Sequence, residues 1–113
     1  MPWNLIIDDY AGIGDRVILY ALGEIRVGAR ATISQGAHLC AGTHDYREVS
    51  LPLRKCKIVI EEGAWICADA FIGPDVVVGA HAVVGARAVV VKNVASNKIV
   101  AGNPAKEIGS RWE

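Results

Sequence analysis

Three histidines and three cysteines are among the residues of this 113-residue chain that could transfer a proton, attack a substrate or bind a metal. They are His38, His44 and His81, and Cys40, Cys56 and Cys67. His44 begins a charged, Pro-interrupted stretch that ends at Lys55. Functional residues are often held where a loop leaves a rigid scaffold, and an imidazole can take a proton near neutral pH. His44 is therefore a candidate functional residue, with a solvated insertion as the alternative interpretation.

The number and spacing of the cysteines favour a role in packing over one in catalysis or metal binding. Their number is odd and no CxxC spacing occurs, which argues against a disulfide framework and a zinc knuckle and fits a reducing cytoplasm. Cys40 lies four residues before His44, but a free cysteine is usually a small buried hydrophobe. We therefore expect Cys40 to be a packing residue and not a nucleophile.

Composition excludes several classes of protein. Twelve Lys and Arg residues balance twelve Asp and Glu residues, so there is no basic surplus for nucleic acid or an anionic membrane. A hydrophobic content of 52% excludes disorder, while no apolar run approaches the roughly 18 residues of a membrane span. No N-terminal basic and apolar signal is present. The length predicts a single domain over residues 1–113.

The elements that would hold His44 are predicted by a six-residue repeat. Aliphatic β-branched residues recur at Ile60, Ile66, Ile72, Val78, Val84 and Val90. The residue two positions earlier is small or aliphatic, and glycine often follows, as at Gly73, Gly79 and Gly85. Neither a helix nor an isolated strand has this period. Three rungs of six residues instead close one triangular coil of about 18 residues, with the aliphatic side chain inside.

The corner glycines, the break in the repeat and Pro104 predict the turns of the coil, its loop and its end. We expect each corner glycine to adopt a φ that a Cβ would penalise. The repeat fails between Leu39 and Ile58, so residues 44–57 are predicted to form a loop extruded from the coil. Pro104 lacks an N–H and restricts Asn103, which predicts a turn that ends the coil. Residues 103–113 are then expected to cap the open end, with a short helix from Ala105 to Trp112.

These residues resemble a known family, the hexapeptide-repeat acyltransferases. The resemblance is to the sugar O-acetyltransferase branch, which includes galactoside and nodulation acetyltransferases, and is nearest to colanic acid biosynthesis acetyltransferases. It covers the chain from about Trp3 to Ile108. The segments that carry it are Ile33-Ser34-Gln35-Gly36, Leu39-Cys40-Ala41-Gly42-Thr43-His44-Asp45, Ala64-Trp65-Ile66, Phe71-Ile72-Gly73-Pro74 and Val100-Ala101-Gly102-Asn103-Pro104-Ala105-Lys106.

The resemblance implies an all-β fold, a left-handed parallel β-helix, in a cytoplasmic homotrimer. It implies transfer of an acetyl group from acetyl-CoA to a sugar hydroxyl in exopolysaccharide synthesis, with no metal required. His44 falls at the position of the catalytic histidine in this branch. Asp45 could orient its imidazole, although a turn residue at the surface is the favoured interpretation.

The resemblance also implies positions for the two substrates. Acetyl-CoA would lie in a groove between subunits, along small side chains at Ala68 and Ala86. Trp65 matches a tryptophan beside the transfer site, with packing on a neighbouring subunit as the alternative. Lys92 and Lys106 match basic positions near the CoA phosphates. Loose candidates for contacts with the acceptor sugar are Asp15 and Tyr20.

The sequence departs from the family pattern in three places, one of which is the stretch Ile13-Gly14-Asp15-Arg16, where an Asn that assists in galactoside acetyltransferase has no clear equivalent. Members of this branch generally carry residues ahead of the segment that begins here at Trp3, so we expect a thinner wall around the acceptor and an incomplete upper end. Cys67 also replaces the glycine that usually follows the hexad aliphatic residue.

Two other functions are open at this point. One is a non-catalytic, shortened β-helical oligomer. The other is a zinc-dependent hydratase like the β-helical carbonic anhydrases, with zinc held by His38, His44 or His81. The order of the histidines argues against the hydratase, because a close pair comes first here where that family has a lone histidine first.

Overall fold

The chain winds as a coil of short parallel strands in residues 4–112, which are the residues that the computed structural model describes. Each of the first four coils contributes one strand to each of three sheets, so the sheets form the walls of a prism. Its longest dimension is 47 Å. Residues 1–3 and 113, including Trp3 at the start of the resemblance, lie outside the described residues.

Except for one antiparallel strand at the C-terminal end, the strands of each wall come from successive coils in parallel register. Sheet A contains β1 (Leu5–Ile7), β4 (Ile25–Val27), β9 (Ile58–Ile60) and β12 (Val77–Val78). Sheet B contains β2 (Gly12–Ile13), β5 (Thr32–Ile33), β10 (Trp65–Ile66), β13 (Val83–Val84), β15 (Lys98–Ala101) and β16 (Lys106–Ser110). Sheet C contains β3 (Ile18–Tyr20), β6 (His38–Cys40), β11 (Phe71–Ile72) and β14 (Val89–Val90). A separate pair is formed by β7 (Gly42–His44) and β8 (Leu53–Lys55).

The core of the prism consists of the hexad residues. From Ile60 to Val90, all six members of the series are at most 2% exposed. The small or aliphatic residues two positions earlier are buried as well. Each buried Ile or Val stabilises the fold by about 1.5 to 3 kcal/mol relative to an exposed one. The prediction of a three-sided coil with this series inside is confirmed.

The first coil is less well covered than the others. Ile7 and Ile13 continue the hexad register toward the N-terminus, yet they are 46% and 40% exposed. Their strands each pair with a strand of the second coil only, among the residues that the structure describes. The inward positions of this coil are therefore only partly buried by the residues that the structure describes.

The predicted reason for the corner glycines was wrong. Gly73, Gly79 and Gly85 do not have positive φ. The left-handed conformation falls two residues later, where ordinary residues such as Asp75 (φ 64°) and His81 (φ 61°) adopt it. Glycine is favoured because the coils stack too closely to leave room for a side chain. A Cβ on Gly79 would lie 2.5 Å from a backbone nitrogen of the next coil. Glycine thus permits the close stacking of corners.

Substitution of alanine for Gly79 should destabilise the fold by about 1 to 3 kcal/mol, because the added methyl group overpacks two backbones. Gly12 is the matched control, since a Cβ there would meet nothing within 4 Å. Gly12→Ala should change stability by less than about 0.5 kcal/mol. Urea unfolding of both variants at one protein concentration measures the difference. Equal stabilities would contradict the stacking explanation.

The C-terminal segment is a strand and not the expected helix. A turn at Asn103 and Pro104 does end the coil, as predicted. The strand β16 then folds back antiparallel to β15. The last parallel strand would otherwise present unpaired backbone groups at its edge, and β16 supplies their partners.

No helix in residues 4–112 is long and apolar enough to cross a membrane.

Arg111 fixes the segment that follows β16. Its backbone N–H donates to the Asn97 carbonyl at 2.8 Å. Its guanidinium donates to the carbonyls of Gly63 (2.8 Å) and His81 (3.2 Å). All three acceptors have positive φ and lie at one corner in successive coils. The C-terminal segment therefore ties three coils together along that corner.

Candidate functional site

The stretch that interrupts the repeat is an antiparallel hairpin projecting between sheets C and A. Its strands are β7 and β8, and His44 pairs with Leu53. The insertion was predicted as a loop, and the structure adds this ladder at its base. His44 is the last residue of β7, so its backbone is held by the ladder while its side chain is exposed.

One hydrogen bond orients the His44 imidazole. Its Nδ1 lies 2.7 Å from the carbonyl oxygen of Leu51. A carbonyl can only accept, so Nδ1 carries the proton and donates it. In the neutral ring Nε2 then keeps its lone pair. This arrangement leaves Nε2 available to take a proton from a substrate.

Leu51 is a positioning residue that sequence reasoning missed. Its φ of 51° lies in the left-handed region, and its N–H donates to the Glu48 carbonyl at 3.0 Å. This conformation turns the Leu51 carbonyl toward His44. A residue before proline normally avoids such conformations, so the neighbouring Pro52 predicts the opposite. We find no signal in the sequence that would have identified it.

Asp45 does not orient the imidazole. Its carboxylate oxygens accept from Arg47 Nε at 3.0 Å and Arg47 Nη2 at 3.1 Å, and the Arg47 backbone N–H donates to it as well. These bonds lower the pKa of Asp45 below its ordinary value. Asp45 therefore organises the turn after β7, and a backbone carbonyl takes the orienting role at His44.

A cleft of about 290 Å³ opens at the hairpin. It is lined by Thr43, His44, Asp45, Tyr46, Arg47 and Arg54. Tyr20, one of the acceptor candidates, lies beside this hairpin: a Cβ on Gly42 would lie 3.3 Å from its ring. The structure therefore brings Tyr20 next to the strand that carries His44.

Trp65 lies on the outer face of sheet B, between Thr32 and Val83 of the adjacent coils. Its indole N–H donates to the Ser34 hydroxyl at 2.9 Å, and the residue is 44% exposed. A large aromatic ring is thus held in one orientation with nearly half of its surface free.

Ala68 and Ala86 lie in successive turns at the corner between sheets B and C. The Arg87 N–H donates to the Ala68 carbonyl at 2.9 Å, which links the two turns. Asp15 lies in a turn of the same corner, two coils before Ala68. The structure therefore groups Asp15 with the proposed donor positions and separates it from Tyr20.

Lys92 and Lys106 line one cleft of about 440 Å³ near the C-terminal end. Both side chains are exposed, and neither forms an ion pair within residues 4–112. Glu107, which also lines the cleft, pairs with Lys98 at 3.6 Å. The cleft therefore presents two cations that are free to bind an anion.

The other two histidines occupy separate surfaces. His38 packs edge-on against Phe71 on sheet C, and His81 packs against Trp112 at the corner tied by Arg111. In the part of the chain that the structure describes, no three His, Cys, Asp or Glu side chains come together as a metal site.

The three thiols are free. Burial raises the pKa values of Cys56 and Cys67, which keeps these thiols protonated. The Cys40 thiol contacts the Gly42 carbonyl oxygen at 3.3 Å, at the base of the hairpin. The thiols therefore lie in packed or bonded positions and not in an activated pair.

Comparison with known proteins agrees with the six-residue repeat. Residues 57–92 match the family model described as bacterial transferase hexapeptide (six repeats). This segment of the chain thus resembles the hexapeptide repeat of bacterial transferases. It is also 45% identical over 112 residues to the provisionally named colanic acid biosynthesis acetyltransferase WcaF of Escherichia coli strain K12. That match covers 99% of this chain and 62% of the relative, so the chain spans less than two thirds of the relative's length. The resemblance to hexapeptide-repeat acyltransferases is thereby confirmed.

Solved structures share the hexapeptide-repeat fold. A maltose O-acetyltransferase from Clostridium difficile 630 superposes with a TM-score of 0.92 at 21% identity, over 98% of this chain and 61% of that one. A point mutant of AntD, an N-acyltransferase from Bacillus cereus in complex with dTDP-4-amino-4,6-dideoxyglucose and coenzyme A, superposes with a TM-score of 0.87 at 23% identity, over 96% and 64%. The prediction of an all-β, left-handed parallel β-helix is confirmed, except for its terminal helix.

Proposed function

We propose that this chain is an acetyl-CoA-dependent O-acetyltransferase that acetylates a sugar hydroxyl in polysaccharide synthesis. The observation that carries the proposal is the bond from His44 Nδ1–H to the Leu51 carbonyl, which leaves Nε2 available as a base. The similarity to an acetyltransferase named for colanic acid biosynthesis supports the same reaction and the same kind of acceptor.

The reaction needs one well-placed base. His44 Nε2 removes the proton of the acceptor hydroxyl while the hydroxyl oxygen attacks the thioester carbon of acetyl-CoA. The carbon–sulfur bond breaks, and the imidazolium returns the proton to the leaving thiolate. The thioester is already activated, so no covalent intermediate with a cysteine is required. General base catalysis of this kind contributes roughly a hundred- to ten-thousand-fold.

The donor contacts are proposed on sheet B, at its corner with sheet C and at the C-terminal cleft. Ala68 and Ala86 allow the pantetheine arm to approach the backbone, and Trp65 offers an exposed ring beside it. Lys92 and Lys106 are unpaired cations in one cleft, within the part of the chain that the structure describes, which suits the CoA phosphates.

The two acceptor candidates are supported unequally. Tyr20 is supported by its position beside the hairpin that carries His44. Asp15 lies nearer to the donor corner, two coils before Ala68. We therefore place Tyr20 at the acceptor side of the site and expect a weaker role for Asp15.

We propose a homotrimer in which the donor groove lies between subunits. The walls of the prism differ in charge, which supports association through particular faces. Sheet A carries the ion pairs Arg26–Asp8 and Lys57–Glu24. The outer face of sheet C has no Lys, Arg, Asp or Glu and consists of Ile18, Tyr20, His38, Cys40, Phe71, Gly73, Val89 and Val91. A face without acidic or strongly basic residues suits burial against another copy in the cytoplasm.

Calorimetric titration with acetyl-CoA tests the donor half of this proposal. We expect about one site per subunit. Lys92→Ala should weaken binding about fivefold, as expected when a partly exposed cation no longer meets a phosphate. Lys57→Ala is the matched control, because Lys57 pairs with Glu24 on sheet A and should leave affinity unchanged within about twofold.

The same titration distinguishes the alternative function. A folded trimer that binds no acetyl-CoA would be a non-catalytic β-helical oligomer, and the proposed activity would be wrong. Equal affinities of the Lys92→Ala variant and the unmodified chain would remove Lys92 from the donor site while leaving the activity in place.

A further inference from the structure

The hairpin cleft holds a second guanidinium group besides that of Arg47. Arg54 lines the cleft and forms no ion pair in residues 4–112. It lies on β8 directly opposite Thr43, the residue before His44. The ladder fixes its backbone beside the strand that carries the base.

The one carboxylate that lines this cleft, Asp45, is already hydrogen-bonded to Arg47. Both oxygens of Asp45 are engaged by Arg47. The cleft therefore has one carboxylate and two guanidinium groups, which leaves it with an excess of one positive charge. Arg54 also contributes to the lowered pKa of Asp45, which agrees with its position near that carboxylate.

We propose that Arg54 binds an anionic group on the acceptor, so that the acceptor is a charged sugar. This inference rests on the proposed acetyltransferase function, and it adds the chemical class of the second substrate. A planar guanidinium can hold a carboxylate or a phosphate through two parallel hydrogen bonds. Either group beside the sugar would fix which hydroxyl approaches His44. The anion is thus a uronic acid carboxylate or a sugar phosphate.

A neutral sugar would bind this cleft more weakly than a charged one. Its hydroxyls could bond to Thr43 or Tyr46, but they would leave the charge of Arg54 without a partner. Charge-assisted hydrogen bonds are roughly twice as strong as neutral ones. The arrangement therefore favours a charged acceptor over an uncharged sugar of the same shape.

Ligand-observed NMR titrations without acetyl-CoA test this inference apart from turnover. The probes are a panel of neutral hexoses, the matching hexuronic acids and the matching hexose 1-phosphates. We expect at least one anionic class to bind about tenfold or more tightly than the neutral sugars, by the strength of a charge-assisted bond. A preference for uronic acids identifies a carboxylate, and a preference for the phosphates identifies a phosphate.

Variants of the hairpin assign the effect to Arg54. Arg54→Gln should bring the affinity for anionic sugars down to that for neutral ones, and Arg54→Lys should keep part of the preference. Lys55→Gln is the matched control, because it removes one positive charge from the next residue, outside the cleft lining. It should change affinities by less than about twofold. Circular dichroism and size-exclusion chromatography check that each variant is folded.

Equal binding of charged and neutral sugars, no binding of any anionic sugar up to about 10 mM, or an unchanged preference in Arg54→Gln would overturn the inference. If acetyl-CoA binding and acetyl transfer persist in that case, the proposed function stands and only the charged acceptor is wrong. If the chain binds no acetyl-CoA, the proposed function itself is wrong.

Discussion

Replacement of His44 by Gln should lower the rate of acetyl transfer by roughly a hundred- to ten-thousand-fold, since the amide cannot serve as the base. Glutamine retains polarity and approximate size, so the hairpin should stay folded. Acetyl-CoA affinity should remain within about twofold, because the proposed donor contacts lie on other elements. Stopped-flow detection of released CoA, together with calorimetry, separates the rate from binding.

The His81→Gln variant is the matched control for His44→Gln. His81 packs against Trp112 at a different corner, away from the hairpin. Its rate of transfer should remain within about twofold of that of the unmodified chain. A near-normal rate for His44→Gln would remove His44 from the mechanism, whatever the control does.

Truncation of Ile66 to Ala should destabilise the fold by about 2 to 5 kcal/mol. Ile66 is fully buried at the centre of sheet B, between Ile33 and Val84 of the adjacent coils. Its removal loses the burial of the side chain and leaves a cavity that the narrow prism can fill only by shifting whole coils.

Ile108→Ala is the matched control for that truncation. The substitution is identical, but Ile108 is 68% exposed on β16. Its effect should stay below about 0.5 kcal/mol. Urea unfolding at one fixed protein concentration measures both variants. A similar loss of stability in the two variants would show that burial of the hexad residues is not what stabilises the core.

The coil could be predicted from the sequence because aliphatic residues recur every six positions. The series from Ile60 to Val90 points inward at every step, and its period has no other regular explanation. The turn at Asn103 and Pro104 was predictable because proline restricts its own backbone and that of the residue before it.

The details at the corners and at the C-terminus depend on contacts between coils. Gly79 is small because a neighbouring backbone lies close to it, which a single-chain φ argument cannot predict. Residues 106–110 form a strand because β15 offers an unpaired edge, although their position after a turn was also compatible with a capping helix.

The candidate site was predictable only in part. The interruption of the repeat indicated His44 as a candidate, and the resemblance implied its catalytic role, which stays a prediction. The orienting bond was not predictable, because Leu51 adopts a left-handed conformation that its own side chain and the following proline both disfavour. The pairing of Arg47 with Asp45, which leaves Arg54 free in the cleft among the described residues, likewise depends on the folded hairpin.

The most direct test of the account is to incubate the chain with acetyl-CoA and a panel of sugar acceptors and to identify the products by mass spectrometry and NMR. We expect a sugar that carries one new acetyl ester, formed together with free CoA. We also expect His44→Gln to form this product at least about a hundredfold more slowly. A folded protein that leaves acetyl-CoA intact with every acceptor, or an ester formed equally fast by the His44 variant, would contradict it.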